Sequence, residues 1–103
     1  MTVKLISDDE RLVLHSHGAK FYYRRIRPVE RQNIIKKHTK RGEVDWGAAS
    51  MEMLRLCVKG WEGVGDENGE IPYRPELLED LPEEILVEIM EATGAAEGEV
   101  EGK

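Results

Sequence analysis

Apolar and polar residues alternate through the first quarter of the chain, and the apolar ones then recur every three or four residues. "TVKLIS", residues 2–7, puts Val3 and Leu5 on one face, as a half-buried strand does. "RLVLHSH" alternates again, with Leu12 and Leu14 opposite Val13 and His15. After a break at Gly18 and Ala19, "KFYYRRI" is aromatic and β-branched enough for a further strand. Polar stretches such as "SDDE" serve as turns, so residues 1–27 are predicted to form a small antiparallel meander of about three strands.

Helix signals begin at Pro28. Proline suits a first helical turn, Glu30 complements its positive end, and Lys36, Lys37, Lys40 and Arg41 crowd the negative end before Gly42. Val29, Ile34 and Ile35 supply a narrow apolar stripe. A second helix is predicted from the N-cap Asp45 to Lys59, with Gly60 as its stop. Trp46, Ala49, Met53, Cys57 and Trp61 mark its inward stripe, broadened by Leu54, Leu56 and Val58. Residues 62–74 read as a loop in which Trp61 anchors a glycine-rich Asn-Gly turn, and "PELLED" as a short helical turn. A last helix starts at Pro82, buries Ile85, Leu86, Ile89 and Met90, and ends at Gly94. The prediction is therefore one α+β domain over 1–93, mainly strands over 1–27 and mainly helical over 28–93, with residues 94–103 as a disordered acidic tail.

Composition narrows the function. The 103 residues are enough for one domain with a thin core. No run approaches the ~18 apolar residues of a membrane span, and no signal peptide is visible in "MTVKLISDDERLV". The single Cys57 rules out an internal disulfide and fits a reducing cytoplasm. Charge is uneven: residues 1–41 hold eleven Lys/Arg and four acids, the remainder four bases and seventeen acids, for a net −6. Such separation suits a basic face for a partner, or two halves that attract each other in the fold.

Few residue patterns suggest chemistry. "DENGE" has the residues of a calcium loop but not the register, because Gly69 comes too early and Leu77 occupies the place of the closing glutamate. The glycines at 60, 63, 65 and 69 fit no phosphate-loop spacing. His15 and His17, two apart on a strand, form half a metal site or simply a polar strand end. Cys57 lies on an apolar stripe, where a thiol is inert, and no serine sits in a nucleophile elbow. No catalytic, cofactor or metal residues are assigned. "KFYYRRIR" and the cations after it, over 20–41, combine stacking aromatics with phosphate-binding charge, which is the basis of an alternative reading as a nucleic-acid-binding protein using Phe21, Tyr22, Tyr23, Arg24, Arg25 and Lys36.

The order "FYYRRI", "TKRGEVDW", "LCVKGWEGVGDENGEIPY", "ELLEDLPEEILVEI" resembles a group of small proteins of tailed phages and prophages, the tail assembly chaperones encoded ahead of the tape-measure protein. The resemblance spans residues 20–90. Trp61, Gly63, Val64, Asp66 and Gly69 match the group's distinctive turn, and Phe21, Arg24 and Arg25 its strand. It implies a non-enzymatic protein of the bacterial cytoplasm, absent from the mature virion, that keeps the apolar helices of the tape-measure protein soluble. Contact with the tail tube protein, self-association and a longer frameshifted product belong to the same expectation. The candidate partner-binding residues are Phe21, Tyr23, Arg24, Arg25, Met51, Trp61, Val64, Tyr73 and Met90.

Overall fold

The computed structural model describes residues 2–96. It is an α+β fold in which an antiparallel three-stranded sheet packs with helices around one core. Strands β1 (Leu12–Ser16) and β2 (Ala19–Tyr23) form a hairpin, registered Leu12 to Tyr23 and Ser16 to Ala19. Its turn residues His17 and Gly18 have φ of 52° and 84°, as a two-residue hairpin turn of the primed type requires. His17 therefore sits in the turn and not on the strand. Its ring Nδ1 lies 3.1 Å from Ser16 Oγ, which dissolves the paired-histidine site.

The helices begin where capping chemistry places them. Helix α1 (Pro28–Lys37) has Glu30 reaching back to accept the Arg27 N–H at 2.9 Å. A short hairpin follows, β3 (Thr39–Lys40) and β4 (Glu43–Val44), turning through Arg41 and Gly42. Helix α2 (Trp46–Cys57) starts at Asp45, whose carboxylate accepts the Ala48 N–H at 3.2 Å. Ala49, Met53, Leu54 and Cys57 are fully buried on α2, while Leu56 faces outward and Val29 of α1 is exposed.

The third strand of the sheet is not residues 2–7. Thr2–Ser7 has no strand partner, and Val3 and Leu5 are each 88% exposed. The place is taken by β5 (Val58–Glu62), which follows α2 directly and pairs with β2, Phe21 opposite Trp61 and Lys20 opposite Glu62. Helix α2 thus ends two residues before the predicted Lys59. Val58 is already extended, and the Cys57 carbonyl accepts the Arg24 N–H at 3.0 Å. A ladder of backbone hydrogen bonds to β2 outweighs another half-turn of helix.

The region read as a loop contains a further hairpin, β6 (Gly65–Asp66) and β7 (Gly69–Glu70), turning at Glu67 and Asn68 rather than at Asn-Gly. A 3₁₀ helix (Pro75–Asp80) carries the buried Leu78, and α3 (Glu83–Thr93) closes the core with Ile89. Gly94 caps α3 in the left-handed conformation, φ 88°, donating to the Met90 carbonyl. The chain stays packed past this cap. Ala95 is fully buried, and Arg31 of α1 donates to the carbonyls of Gly94 (3.2 Å) and Ala96 (2.7 Å). The expected disordered tail therefore does not include Gly94, Ala95 or Ala96; its remainder, 97–103, lies outside the described residues. No helix among the described residues is long and apolar enough to cross a membrane.

Candidate functional site: an apolar cleft beside Trp61

Trp61 lies on β5 and organises an aromatic row. Its ring meets Phe21 edge-on at 6.2 Å on one side and Tyr73 edge-on at 5.1 Å on the other. The indole N–H donates to the Ile71 carbonyl at 2.8 Å, and the Tyr73 hydroxyl donates to the Val58 carbonyl at 3.2 Å. Burial raises the Tyr73 phenol to about 12, so it stays a neutral donor. These bonds tie the segment 71–73 to β5.

Three glycines let the β6–β7 hairpin fold back over this row. Gly63 has φ 81°, and a Cβ there would meet the Gly18 carbonyl at 3.1 Å. Gly65 has no room for a side chain, since a Cβ would lie 2.1 Å from the Gly69 carbonyl oxygen, and Gly69 itself has φ 119°. Asp66 fixes the turn by accepting the Asn68 N–H at 2.8 Å, and Ile71 donates to the Val64 carbonyl at 2.9 Å. The glycine-rich run around Trp61 is thus a tight hairpin held against strand backbone.

Between that hairpin and the 3₁₀ helix lies a cleft of about 290 Å³. Trp61, Val64, Ile71, Leu77 and Leu81 form its apolar walls, all half-buried, and the exposed Asp66 and Asp80 stand at its edge. A half-buried apolar lining open to solvent is suited to receiving an apolar side chain.

Of the residues predicted to bind a partner, Trp61 and Val64 line this cleft and Tyr73 backs it through its contact with Trp61. The others lie elsewhere. Phe21 is fully buried between sheet and helices and has no surface to offer. Arg24, 5% exposed, donates to both oxygens of Glu30 at 2.9 and 3.0 Å. Arg25 donates from Nε to both oxygens of Glu10 (3.1 and 3.0 Å), with a further short bond from Nη2. Arg24 is enclosed with its carboxylate, whereas Arg25 is held by Glu10 with its side chain 42% exposed. Tyr23 is a half-buried residue of β2, and Met51 packs against the core on α2. Met90 faces a separate small hollow on α3, beside Val87.

Sequence reasoning missed Ile71, Leu77, Asp80 and Leu81. The signal was the density of leucine in "ELLEDL": Leu77, Leu78 and Leu81 are more apolar residues than one short helix can bury on a single face.

The segment proposed to stack nucleic-acid bases is mostly occupied. Arg31, assigned there to a basic face, is buried, with its guanidinium 5.9 Å from the Trp46 ring centre. Tyr22 donates to Glu62 at 2.6 Å and carries Arg11 over its ring at 4.4 Å. Burial pushes the Cys57 thiol up to about 11, which keeps it protonated and unreactive. Among the described residues, no three His, Cys, Asp or Glu side chains are placed to hold a metal ion. No family model, curated protein or solved structure matches the chain, so the roles of these residues rest on their geometry.

Proposed function

We propose that the protein is a non-enzymatic assembly chaperone of a phage tail, which binds apolar helical segments of the tape-measure protein and keeps them soluble before the tail tube forms around them. The observation that carries this reading is the apolar cleft beside Trp61, in the segment whose sequence resembles the turn of that group. The mechanism is burial: an apolar side chain of the partner leaves water for the walls of Val64, Leu77 and Leu81, each buried aliphatic group contributing about 1.5–3 kcal/mol. The surrounding acids add solvation and like-charge repulsion between complexes. Such a protein works in the bacterial cytoplasm and leaves before the virion is complete.

The test is co-expression with the product of the next long reading frame of its gene cluster. A long helical protein that is soluble and co-purifies only in the presence of this chain supports the reading. A partner indifferent to the chain defeats it.

The alternative nucleic-acid reading now rests on Lys36, Lys40 and Arg41, exposed at the end of α1 and on the β3–β4 hairpin. It requires binding to single-stranded DNA or RNA that weakens steeply with salt.

A further inference from the structure

We infer that the cleft accepts an apolar anchor carried on a basic segment: one or two side chains of leucine, methionine or phenylalanine size, flanked by lysine or arginine. This rests on the proposed function for its setting, a partner held through apolar residues, and adds the chemistry that the partner segment must have.

The size and interior of the cleft select the anchor. A volume of about 290 Å³ has room for one or two large apolar side chains. Five apolar residues form its walls, and the one polar group among their side chains, the indole N–H of Trp61, is already bonded to the Ile71 carbonyl. Against these five walls a polar side chain would lose its water without gaining a partner, which only Asp66 and Asp80 in the same lining could offer.

The edge selects the flanks. Asp66 and Asp80 border the opening and have no cation paired with them among the described residues. Beyond them, Glu67 and Glu70 lie on the hairpin and Glu76 and Glu79 on the 3₁₀ helix, all exposed. Among the described residues only Glu79 of these meets a cation, Arg55 at 3.9 Å, and Arg74 stands exposed just before the 3₁₀ helix. Arg24, Arg25 and Arg27, in the segment after β2, are committed to Glu30, Glu10 and Asp8 and do not neutralise this side. The six carboxylates outnumber the nearby Arg55 and Arg74, so the net charge at the cleft mouth is negative, which favours a cationic segment and repels an acidic one.

The test uses the full chain and three synthetic helical peptides that share one leucine-phenylalanine anchor and differ in flanking Lys, Gln or Glu. Binding is followed by NMR shifts of the Trp61 indole N–H and of the Val64 and Leu77 methyls. The Lys peptide is expected to move these signals and to bind about threefold to tenfold more tightly than the Gln peptide, with the Glu peptide weakest and the advantage fading in salt. The double variant Asp66→Asn, Asp80→Asn preserves shape and an acceptor for the Asn68 N–H. It should shrink the Lys advantage, the rest being carried by Glu67, Glu70, Glu76 and Glu79, and leave the Gln peptide unchanged.

Equal binding of the Lys and Glu peptides overturns the inference, as does binding that leaves the cleft signals unmoved, or no binding by any peptide. The co-expression test fails independently. If the Lys peptide enters the cleft but the long helical protein is not held soluble, the chaperone reading falls and this inference stands. If that protein is held soluble while the cleft stays silent to every peptide, the opposite follows.

Discussion

Two charged regions of the molecule behave in opposite ways. In the basic region at the end of β2, Arg24, Arg25 and Arg27 each have a carboxylate, from Glu30, Glu10 and Asp8 respectively. Three of the four acids in residues 1–41 are used in this way. In the acidic region around the cleft, six carboxylates outnumber the cations Arg55 and Arg74, and among the described residues only Glu79 is paired. The attraction between a basic and an acidic half, which the uneven sequence suggested, is limited among the described pairs to Lys37 and His38 with Glu52. Net charge by segment says how many charges there are; only the fold says which are already answered. A closed charge network serves the fold, and an open one is available to a partner.

If that contrast is right, damage to the closed region must be costly to stability. Phe21→Ala removes a fully buried ring beneath Trp61, and urea unfolding should show a loss of about 3–5 kcal/mol. That is a large fraction of what a thin-cored domain has. Arg24→Met should cost about 2–4 kcal/mol, because it leaves Glu30 charged and largely covered without its bidentate partner. Adding Glu30→Leu to Arg24→Met should recover much of the loss. If the double variant is no better than the single, the pair matters for more than mutual neutralisation.

The same region sets the response to acid. The Arg25 guanidinium and backbone N–H hold Glu10 down at about 2, and Arg24, with help from the Arg27 N–H, does the same for Glu30, against an ordinary value of 4.5. Lowered folded-state values mean that the stabilisation is present above pH 4.5 and is lost as pH falls towards 2. Thermal melting points should be level above that window and drop within it. A Glu10→Gln, Glu30→Gln variant should start lower at neutral pH and show a flatter acid limb.

The open region should be nearly silent in the same assays. Asp80→Asn is expected to change unfolding free energy by no more than about 0.5 kcal/mol, with relief of like-charge repulsion as the favoured direction. A loss well beyond that would mean that Asp80 holds the cleft wall together and is not free for a partner.

Two segments with the same alternation show where sequence reading stops. "TVKLIS" and "RLVLHS" are equally good strands by pattern, yet only the second forms one. The second is joined to β2 by a two-residue turn whose glycine supplies the required φ, so its partner is adjacent in the chain. The first pairs with no strand, and the third place in the sheet goes to β5, which α2 delivers to the other side of β2. Strand propensity is a statement about a half-buried surface, and it is realised only where a second strand offers its backbone.

The sequence by itself determined the α+β class and the starts of the helices at Pro28, Asp45 and Pro82. It also determined the Gly94 cap and the inward stripe of α2. All of these follow from local chemistry: caps, fixed φ angles and a period of three to four residues. Trp61 could be singled out because a bulky residue amid glycines is conspicuous in one dimension, and Val64 through the resemblance of its segment. Tertiary structure alone decided that β5 completes the sheet, that Phe21 and Arg24 are interior, and that Leu77, Asp80 and Leu81 stand across a cleft from Trp61. Those outcomes depend on pairings between residues far apart in the chain, where backbone hydrogen bonds, burial and charge neutralisation select one arrangement from several that the local pattern allows equally.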